Sequence, residues 1–497
     1  MASNDLTSSN SAPLNSALSL SDRVRTSAII FAYIIIFWIL LPALLWTLGQ
    51  RFDRWLSLPV PNQVVRMLGI AGAAFAGVPL LKSMVSLWTF GRGLPISHLP
   101  PTRLVQGGSY SRVRHPIYLF FLLTWLSATI ALGSLGASIM GGVILATASL
   151  TYALAIEEPR LFSRFGEAYE QYAERTPALM PIPRAVRTGL GAAWNTVRPG
   201  VERLANCTVL VRGKRWTLVT YGAFVALGTF VMTFWACLSL AALGVDSSRI
   251  FIFALAVTLM MLTFGRMAGM LYRWPLLLAA PVTAVRTVGF VSWGGYLGMV
   301  GGAILGIALL KLPMGMILDR LVLPGMLCSA IGRVGCLTYG CCTGRPHDQG
   351  ICYHSADARI VREQGASACV PRWPTQLISG LWALCVLLIL AWPSLQPLPQ
   401  GTLTATACLL YSLGRIAIER TRDEERLGRL QWTRGQYAAL ACFVISLVAL
   451  MLLGEQPTTI ATRFDSNALG FATATASVTA LLSLAIAGLH GRRVGYW

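Results

Sequence analysis

Long uncharged apolar runs recur along this chain, and no other feature limits its fold so strongly. The first, Ser27 to Gly49, holds 23 residues without a charge, enough for a helix to cross a hydrocarbon layer of about 30 Å at 1.5 Å per residue. Similar runs fall near 66–89, 116–133 and 135–156. A second set falls near 216–243, 249–272, 287–310, 321–337, 375–392, 401–420, 436–454 and 467–490, with 321–337 short and glycine-interrupted. The reading is an all-α, polytopic integral membrane protein of about 11–12 transmembrane helices, because a lipid-embedded segment must satisfy its own backbone groups. Composition agrees: charged residues are 12% of the chain, about half the share in soluble proteins. The 40 basic residues against 20 acidic give a net charge of +20, which in a water-soluble chain would suggest nucleic acid. In a chain this apolar it points to cytoplasmic loops and anionic headgroups, so no nucleic-acid partner is expected. Only Lys82, Lys214 and Lys311 are lysines. An arginine excess favours phosphate or carboxylate recognition, although a GC-rich genome gives the same bias. Residues 1–20 are Ser/Asn-rich without a basic start, so no cleavable signal is expected.

A polar, basic stretch at 157–215 divides the chain. The expected organisation is a first module over 1–185, a basic linker over 186–215, a second module over 216–455 and an additional C-terminal transmembrane helix over 456–497. No repeat relates the halves, which argues against an inverted-repeat transporter.

Between the second and third runs lie Gly91-Arg92-Gly93-Leu94-Pro95 and Leu104-Val105-Gln106-Gly107-Gly108-Ser109-Tyr110-Ser111-Arg112-Val113-Arg114-His115-Pro116-Ile117-Tyr118. After the fourth come Glu157-Glu158-Pro159, Phe165-Gly166-Glu167 with Tyr169 and Tyr172, and Pro181-Ile182-Pro183. His115 and Glu158 are 43 residues apart, or roughly 60 Å of helix, one passage across the bilayer and one back. Both motifs then return to one membrane face. An arginine, a histidine, two carboxylates and aromatic rings suit a ligand with a carboxylate, an amine and a sulfonium. The plainer alternative is a basic juxtamembrane loop and a helix begun by proline. In order, these motifs resemble the isoprenylcysteine carboxyl methyltransferase and phospholipid methyltransferase family of membrane enzymes over roughly 65–184. The resemblance implies S-adenosyl-L-methionine as cofactor, held by Arg114, His115, Tyr118, Glu157 and Glu158. Methyl transfer from a sulfonium needs alignment more than acid–base chemistry, and the acceptor would arrive from the lipid.

In the second set the informative residues are arginines in apolar surroundings, where a charge costs about 2.5–3.5 kcal/mol on insertion scales. Arg266 follows Phe264-Gly265. Arg333 lies in Gly332-Arg333-Val334-Gly335-Cys336-Leu337-Thr338-Tyr339-Gly340-Cys341-Cys342-Thr343-Gly344-Arg345. Arg415, Glu419 and Arg422 form a third group, and i, i+4 spacing puts Arg415 and Glu419 on one helical face. Arginines around a glycine-rich re-entrant turn make a phosphate site, the phosphate being a phospholipid's. The alternative is internal pairing with Asp319 or Glu419 that only fixes helix packing. With Tyr221-Gly222, Gly294-Gly295, Pro374-Thr375-Gln376-Leu377 and Gly435-Gln436, the order of motifs over 216–454 resembles the prolipoprotein diacylglyceryl transferase family. That family moves diacylglycerol from phosphatidylglycerol to a lipoprotein cysteine. The resemblance implies catalytic Arg333, Arg415 and Glu419, the arginines stabilising the departing phosphate, and substrate-binding Arg266, Gly332, Gly335, Gly344, Arg422 and Tyr221. The chain departs from that family at Trp293, Cys336, Tyr339, Cys341 and Trp373, where groups expected to activate a thiol are replaced.

No metal site is expected from the block Cys336, Cys341, Cys342, Cys352 and Cys369, whose spacing matches no standard zinc pattern. A metal remains one alternative. Disulfides such as Cys342 with Cys352 or Cys369 are the reading if the loop 345–372 faces an oxidising compartment; simple packing is the third. Charge places 157–215 in the cytoplasm, whereas the transferase family usually keeps the start of its first span outside. Together these readings give a multi-pass protein of the bacterial inner membrane: a methyltransferase joined to a diacylglyceryl transferase of lipoprotein biosynthesis. Its partners would be a phosphatidylglycerol-like phospholipid and a lipid-like or lipoprotein acceptor. The alternative is a methyltransferase with a non-catalytic lipid-binding C-terminal module.

Overall fold

The structure is a computed structural model that describes residues 27–28, 31–32, 34–91, 101–179, 184–287, 291–365, 369–427, 432–454 and 466–495. Of the motifs above, residues 92–95 and 181–183 and the side chain of Trp293 lie outside the described residues. Helix accounts for 76% of the structure, so the class is all-α. Among the described residues seven helices are long and apolar enough to cross a membrane. In chain order the main helices begin with α1 (Ile35–Trp55), α2 (Gln63–Gly91), α3 (Pro116–Ala131), α4 (Ala137–Tyr152), α5 (Glu158–Phe165), α6 (Glu167–Arg175) and α7 (Arg184–Ala205). They continue with α8 (Thr220–Ala241), α9 (Ser247–Tyr272), α10 (Trp274–Ala279), α11 (Pro281–Thr287), α12 (Ser292–Leu310) and α13 (Met314–Tyr339). The last are α14 (Arg359–Gln364), α15 (Thr375–Ala391), α16 (Thr402–Ile418), α17 (Arg434–Leu452) and α18 (Ser466–Gly488). Large apolar side chains stand outward, with Phe75 on α2 82% exposed. In water such a face would drive association; in a bilayer it meets lipid at no cost. The chain is a multi-pass membrane protein.

Two compact units divide the chain: 1–51, 59–142 and 167–180 form one, and 52–58, 143–166 and 181–497 the other. In the first, α2 crosses α3 where a Cβ on Gly69 would stand 2.7 Å from the Ala131 nitrogen. Such close backbone approach is how membrane helices gain packing energy when lipid removes the hydrophobic drive. In the second unit the same device joins α8 to α18, where a Cβ on Gly222 would meet the Gly488 Cα at 2.0 Å. After α18, the strand β3 (Leu489–His490) pairs antiparallel with β2 (Thr217–Val219), which also pairs with β1 (Val209–Arg212).

Three sequence expectations change. The run at 321–337 is neither short nor re-entrant: α13 continues unbroken for 26 residues, with Gly332 and Gly335 inside it. Its beginning was hidden by Asp319, a polar residue that caps α16. The Asp319 carboxylate accepts the Gly401 and Thr404 backbone N–H groups at 2.7 and 2.9 Å, using the positive end of that helix. Second, all eleven cysteines are free, so neither Cys342–Cys352 nor Cys342–Cys369 is a disulfide. The chain instead ties Cys352 by its backbone to Glu202 and Asn206. Third, residues 184–205 form helix α7, which packs over the loop that follows α13. Trp194 Nε1 donates to the Gln349 carbonyl at 2.8 Å, and Asn206 Oδ1 accepts the Ser355 N–H at 2.9 Å. Ala205 shares a small core with Leu337, Ile351 and Tyr353. The basic segment and the cysteine-bearing loop therefore lie at one membrane face.

Candidate functional site

In the first unit, the 3-10 turn Gly108–Ser111 and the extended residues after it are stitched to α6 and its continuation. Tyr172 donates through its hydroxyl to the Tyr110 carbonyl at 2.6 Å, and the Arg114 and His115 N–H groups reach the Pro177 and Ala178 carbonyls. The Arg114 guanidinium joins the same seam: Nη1 donates to the Ala173 and Thr176 carbonyls at 2.7 and 2.6 Å. A cation at the end of α6 satisfies carbonyls that the helix leaves open. Pro116 then starts α3 at a position that needs no N–H. His115 is 4% exposed and stacks on Tyr118 with ring centres 5.6 Å apart. Tyr169 and Tyr172 meet edge to face. Burial raises the Tyr172 hydroxyl above its ordinary pKa, with Arg114 opposing. The result is an aromatic wall beside one guanidinium. Glu157 and Glu158 belong to the other unit, half-buried where α4 passes into α5.

The second unit brings arginines together. Glu419, fully buried, follows the end of α16. Its Oε2 lies 2.8 Å from Arg415 Nη2, the i, i+4 pair anticipated above, and its Oε1 accepts from Arg422 Nη1 at 3.1 Å. A Cβ on Gly435 would come within 2.7 Å of Glu419 Oε1, so glycine is what lets α17 approach this carboxylate. The next residue, Gln436, closes a capping box with Thr433 and donates to the Ile416 carbonyl at 3.0 Å. Arg333 on α13, 7% exposed, and Ser329 are hydrogen-bonding neighbours of the Tyr411 hydroxyl, and Arg415 stands by the same group. Arg415 and Arg422 thus share one buried carboxylate, Arg422 also reaches Glu424 at 2.6 Å, and Arg333 is a cationic neighbour of both arginines. Arg415 Nη1 is buried and has no hydrogen-bond partner among the described residues. A buried donor without a partner costs roughly 1–3 kcal/mol, which an anion would recover.

A short ladder holds the following loop against these arginines. Gly344 bridges Arg422, the Arg345 N–H donates to the Thr421 carbonyl at 2.8 Å, and the Asp423 N–H to the Thr343 carbonyl at 3.3 Å. Gly344 is required here, because a Cβ would stand 2.4 Å from the Trp373 carbonyl oxygen. Gln376, 1% exposed, donates to the Cys341 carbonyl at 2.7 Å and to the Tyr353 hydroxyl at 3.2 Å. Hydrogen bonds with Cys336 and Cys341, then the positive charge of Arg422 and Arg333, hold the Cys342 thiol well below its usual pKa despite burial. Outside this ring, partial burial and then Arg426, Arg345 and Arg160 push the Arg420 guanidinium down to about 10.

The expected substrate residues separate. Arg422 and Gly344 join the arginine group. Gly335 sits against Tyr221 and Phe224 on α8, whereas among the described residues nothing lies within 4 Å of a Cβ built on Gly332, one residue from Arg333. Tyr221 lies against Tyr339, ring centres 5.5 Å apart, and beside the cysteines. Arg266 faces another way: with Arg362 it is a cationic neighbour of His490. That histidine is held down to about 4, first by burial and then by those cations. Sequence reasoning passed over Tyr411 and His490 as site residues. Tyr411 stands four residues before Arg415, the same spacing that gave Glu419, so that pattern could have found it, while His490 was a polar residue closing an apolar run.

Residues 208–452 match the family model described as prolipoprotein diacylglyceryl transferase. A phosphatidylglycerol–prolipoprotein diacylglyceryl transferase 2 of Clostridium perfringens is 28% identical over 216 residues, 42% of this chain and 80% of that one. The nickel-cobalt-cadmium resistance protein NccN of Alcaligenes xylosoxydans xylosoxydans is 33% identical over 145 residues, 29% of this chain and 60% of its own. A protein-S-isoprenylcysteine O-methyltransferase of Schizosaccharomyces pombe is 33% identical over 79 residues, 16% of this chain and 33% of that enzyme. The C-terminal region of this protein, residues 208–452, carries the prolipoprotein diacylglyceryl transferase family.

Proposed function

We propose that the second unit transfers a diacylglyceryl group from a phosphatidylglycerol-like phospholipid to an acceptor in the bacterial inner membrane, with a prolipoprotein thiol as the acceptor the relatives suggest. One observation carries this reading: three neighbouring guanidiniums, Arg333, Arg415 and Arg422, outnumber the two carboxylates paired with them, Glu419 and Glu424, and Arg415 Nη1 is left without a hydrogen-bond partner among the described residues. A phosphate fits that surplus. As the carbon–oxygen bond of the donor breaks, negative charge grows on the departing glycerophosphate, and fixed arginines in a low-dielectric site stabilise it. Glu419 holds Arg415 and Arg422 in place. Arg420, Arg426 and Arg345 extend positive charge outward along the approach.

The first unit is read as the methyl-transferring part. S-adenosyl-L-methionine would supply an electrophilic methyl group. The donor set fits in part: Tyr118 and His115 offer aromatic faces for a cation, while Arg114 is held in the same seam by the Ala173 and Thr176 carbonyls. Joining two lipid-directed activities in one chain raises the effective concentration of one product at the next site.

Proteoliposomes containing phosphatidylglycerol labelled in its diacylglycerol part test the first reading. Transfer to a lipobox peptide should fall by about 100-fold or more in Arg333→Ala and Arg415→Ala. Transfer that survives both changes would exclude the phosphate assignment. Binding of phosphatidylglycerol without transfer by the unaltered protein would favour a lipid-binding role instead. Label from the methyl donor should enter a lipid extract and be lost in His115→Ala.

A further inference from the structure

We propose that Cys336, Cys341 and Cys342 bind one soft metal ion through their three sulfurs. The ligand-bearing Sγ atoms all lie within 4.8 Å of one another. A metal–sulfur bond of about 2.3 Å spreads three sulfurs roughly 4 Å apart, so small side-chain rotations complete the site. None of the three is used in a disulfide.

The backbone is arranged to bring the sulfurs together. Cys336 occupies the last turn of α13, and Gly340 ends that helix in the left-handed region at φ 71°. The Cys341 N–H then returns to the Cys336 carbonyl at 3.2 Å. Cys342 itself has φ 56°, a conformation that costs a side-chain-bearing residue on the order of 1 kcal/mol or more and persists only when the surroundings impose it. Gln376 on the Cys341 carbonyl and the Gly344–Arg422 bridge impose it here.

Charge and compartment agree with the coordination chemistry. Arg422 and Arg333 are cationic neighbours of Cys342, so thiolates gathered here are partly compensated without a hard carboxylate ligand. An all-sulfur set selects soft ions such as Cu⁺, Zn²⁺ or Cd²⁺ over Mg²⁺ or Ca²⁺. The loop bearing Cys341 and Cys342 leads into the face covered by α7, the basic segment that the charge rule assigns to the cytoplasm. On that reducing side cysteines persist as thiols. The inference stands on this geometry alone and does not need the lipid reading.

The experiment uses the full chain in detergent, reduced and stripped of metal, with Cd²⁺, Zn²⁺ and Cu⁺ offered separately and Mg²⁺ as control. One equivalent of a soft ion should survive desalting and produce sulfur-to-metal charge-transfer absorption. Each of Cys336→Ser, Cys341→Ser and Cys342→Ser should weaken binding by more than about 100-fold, the upper end of what losing a group merely hydrogen-bonded to a ligand costs. The double change Cys352→Ser/Cys369→Ser should leave binding intact. In the unaltered protein, bound metal should protect those three thiols from alkylation, a readout that needs no variant to fold. The proposal is overturned if no equivalent is retained, if Mg²⁺ binds as well, if binding follows Cys352 and Cys369, or if the three thiols alkylate equally with and without metal.

Discussion

Arg114 and Arg415 look alike in sequence, each beside a polar motif at the edge of an apolar run, yet the structure gives them different work. Arg114 spends Nη1 on the Ala173 and Thr176 carbonyls and so joins two chain segments. Arg415 leans on Glu419 with one nitrogen and keeps Nη1 buried without a partner among the described residues. The difference lies in what the neighbours supply. Carbonyl oxygens at the end of a helix satisfy an arginine and make it structural. Around Arg415 three guanidiniums meet two carboxylates, Glu419 and Glu424, and the positive charge left over is available to a ligand.

The largest expected effect concerns the shared carboxylate. Glu419→Ala leaves Arg415 without its carboxylate and Arg422 with Glu424 alone, and thermal unfolding in detergent should show a loss of about 3–5 kcal/mol. Unchanged stability would mean that the arginines need no internal counter-charge, and the contrast with Arg114 would fail. Next, Arg333→Ala and Arg415→Ala should cost roughly 100- to 1,000-fold in transfer rate, some 2.7–4 kcal/mol of barrier, while the protein still elutes as a folded species. If they unfold it instead, these arginines are structural like Arg114. Arg114→Ala should cost about 2–3 kcal/mol of stability through its lost charge-assisted hydrogen bonds. Lost methyl incorporation with unaltered stability would show that its carbonyl contacts contribute little and would make the two regions alike.

The smallest effect is one of pH. His490 is held down to about 4 in the folded chain and titrates near 6.5 when unfolded. Between those values the unfolded state binds the extra proton, so stability falls as pH drops from about 6.5 toward 4, by roughly 1.4 kcal/mol per pH unit at most. His490→Gln should flatten that slope in unfolding curves recorded across this range. A slope that the substitution leaves untouched would assign the acid sensitivity to other groups.

Much of the helical framework was legible because a bilayer imposes a length rule that individual residues hardly disturb. The runs at 249–272 and 375–392 became Ser247–Tyr272 and Thr375–Ala391 with only end adjustments. The run at 321–337 was misjudged because Asp319 and Arg320 broke the hydropathy before it, and only α16 explains why a carboxylate belongs there. In the site, i, i+4 spacing gave Arg415 and Glu419 from sequence, since both sit on one helix. Arg333 comes from α13, far away in the chain, and no local pattern states that it meets them.

Sequence alone therefore determined that the chain is helical and crosses the membrane repeatedly, because apolar length in lipid admits few other solutions. It also marked which segments carry polar chemistry. Tertiary structure decided which arginine is satisfied by carbonyls and which retains charge, and that three cysteines spaced along a helix end and a turn bring their sulfurs together. Those outcomes depend on distances between segments far apart in the chain, where packing and hydrogen bonding rather than local periodicity set the geometry.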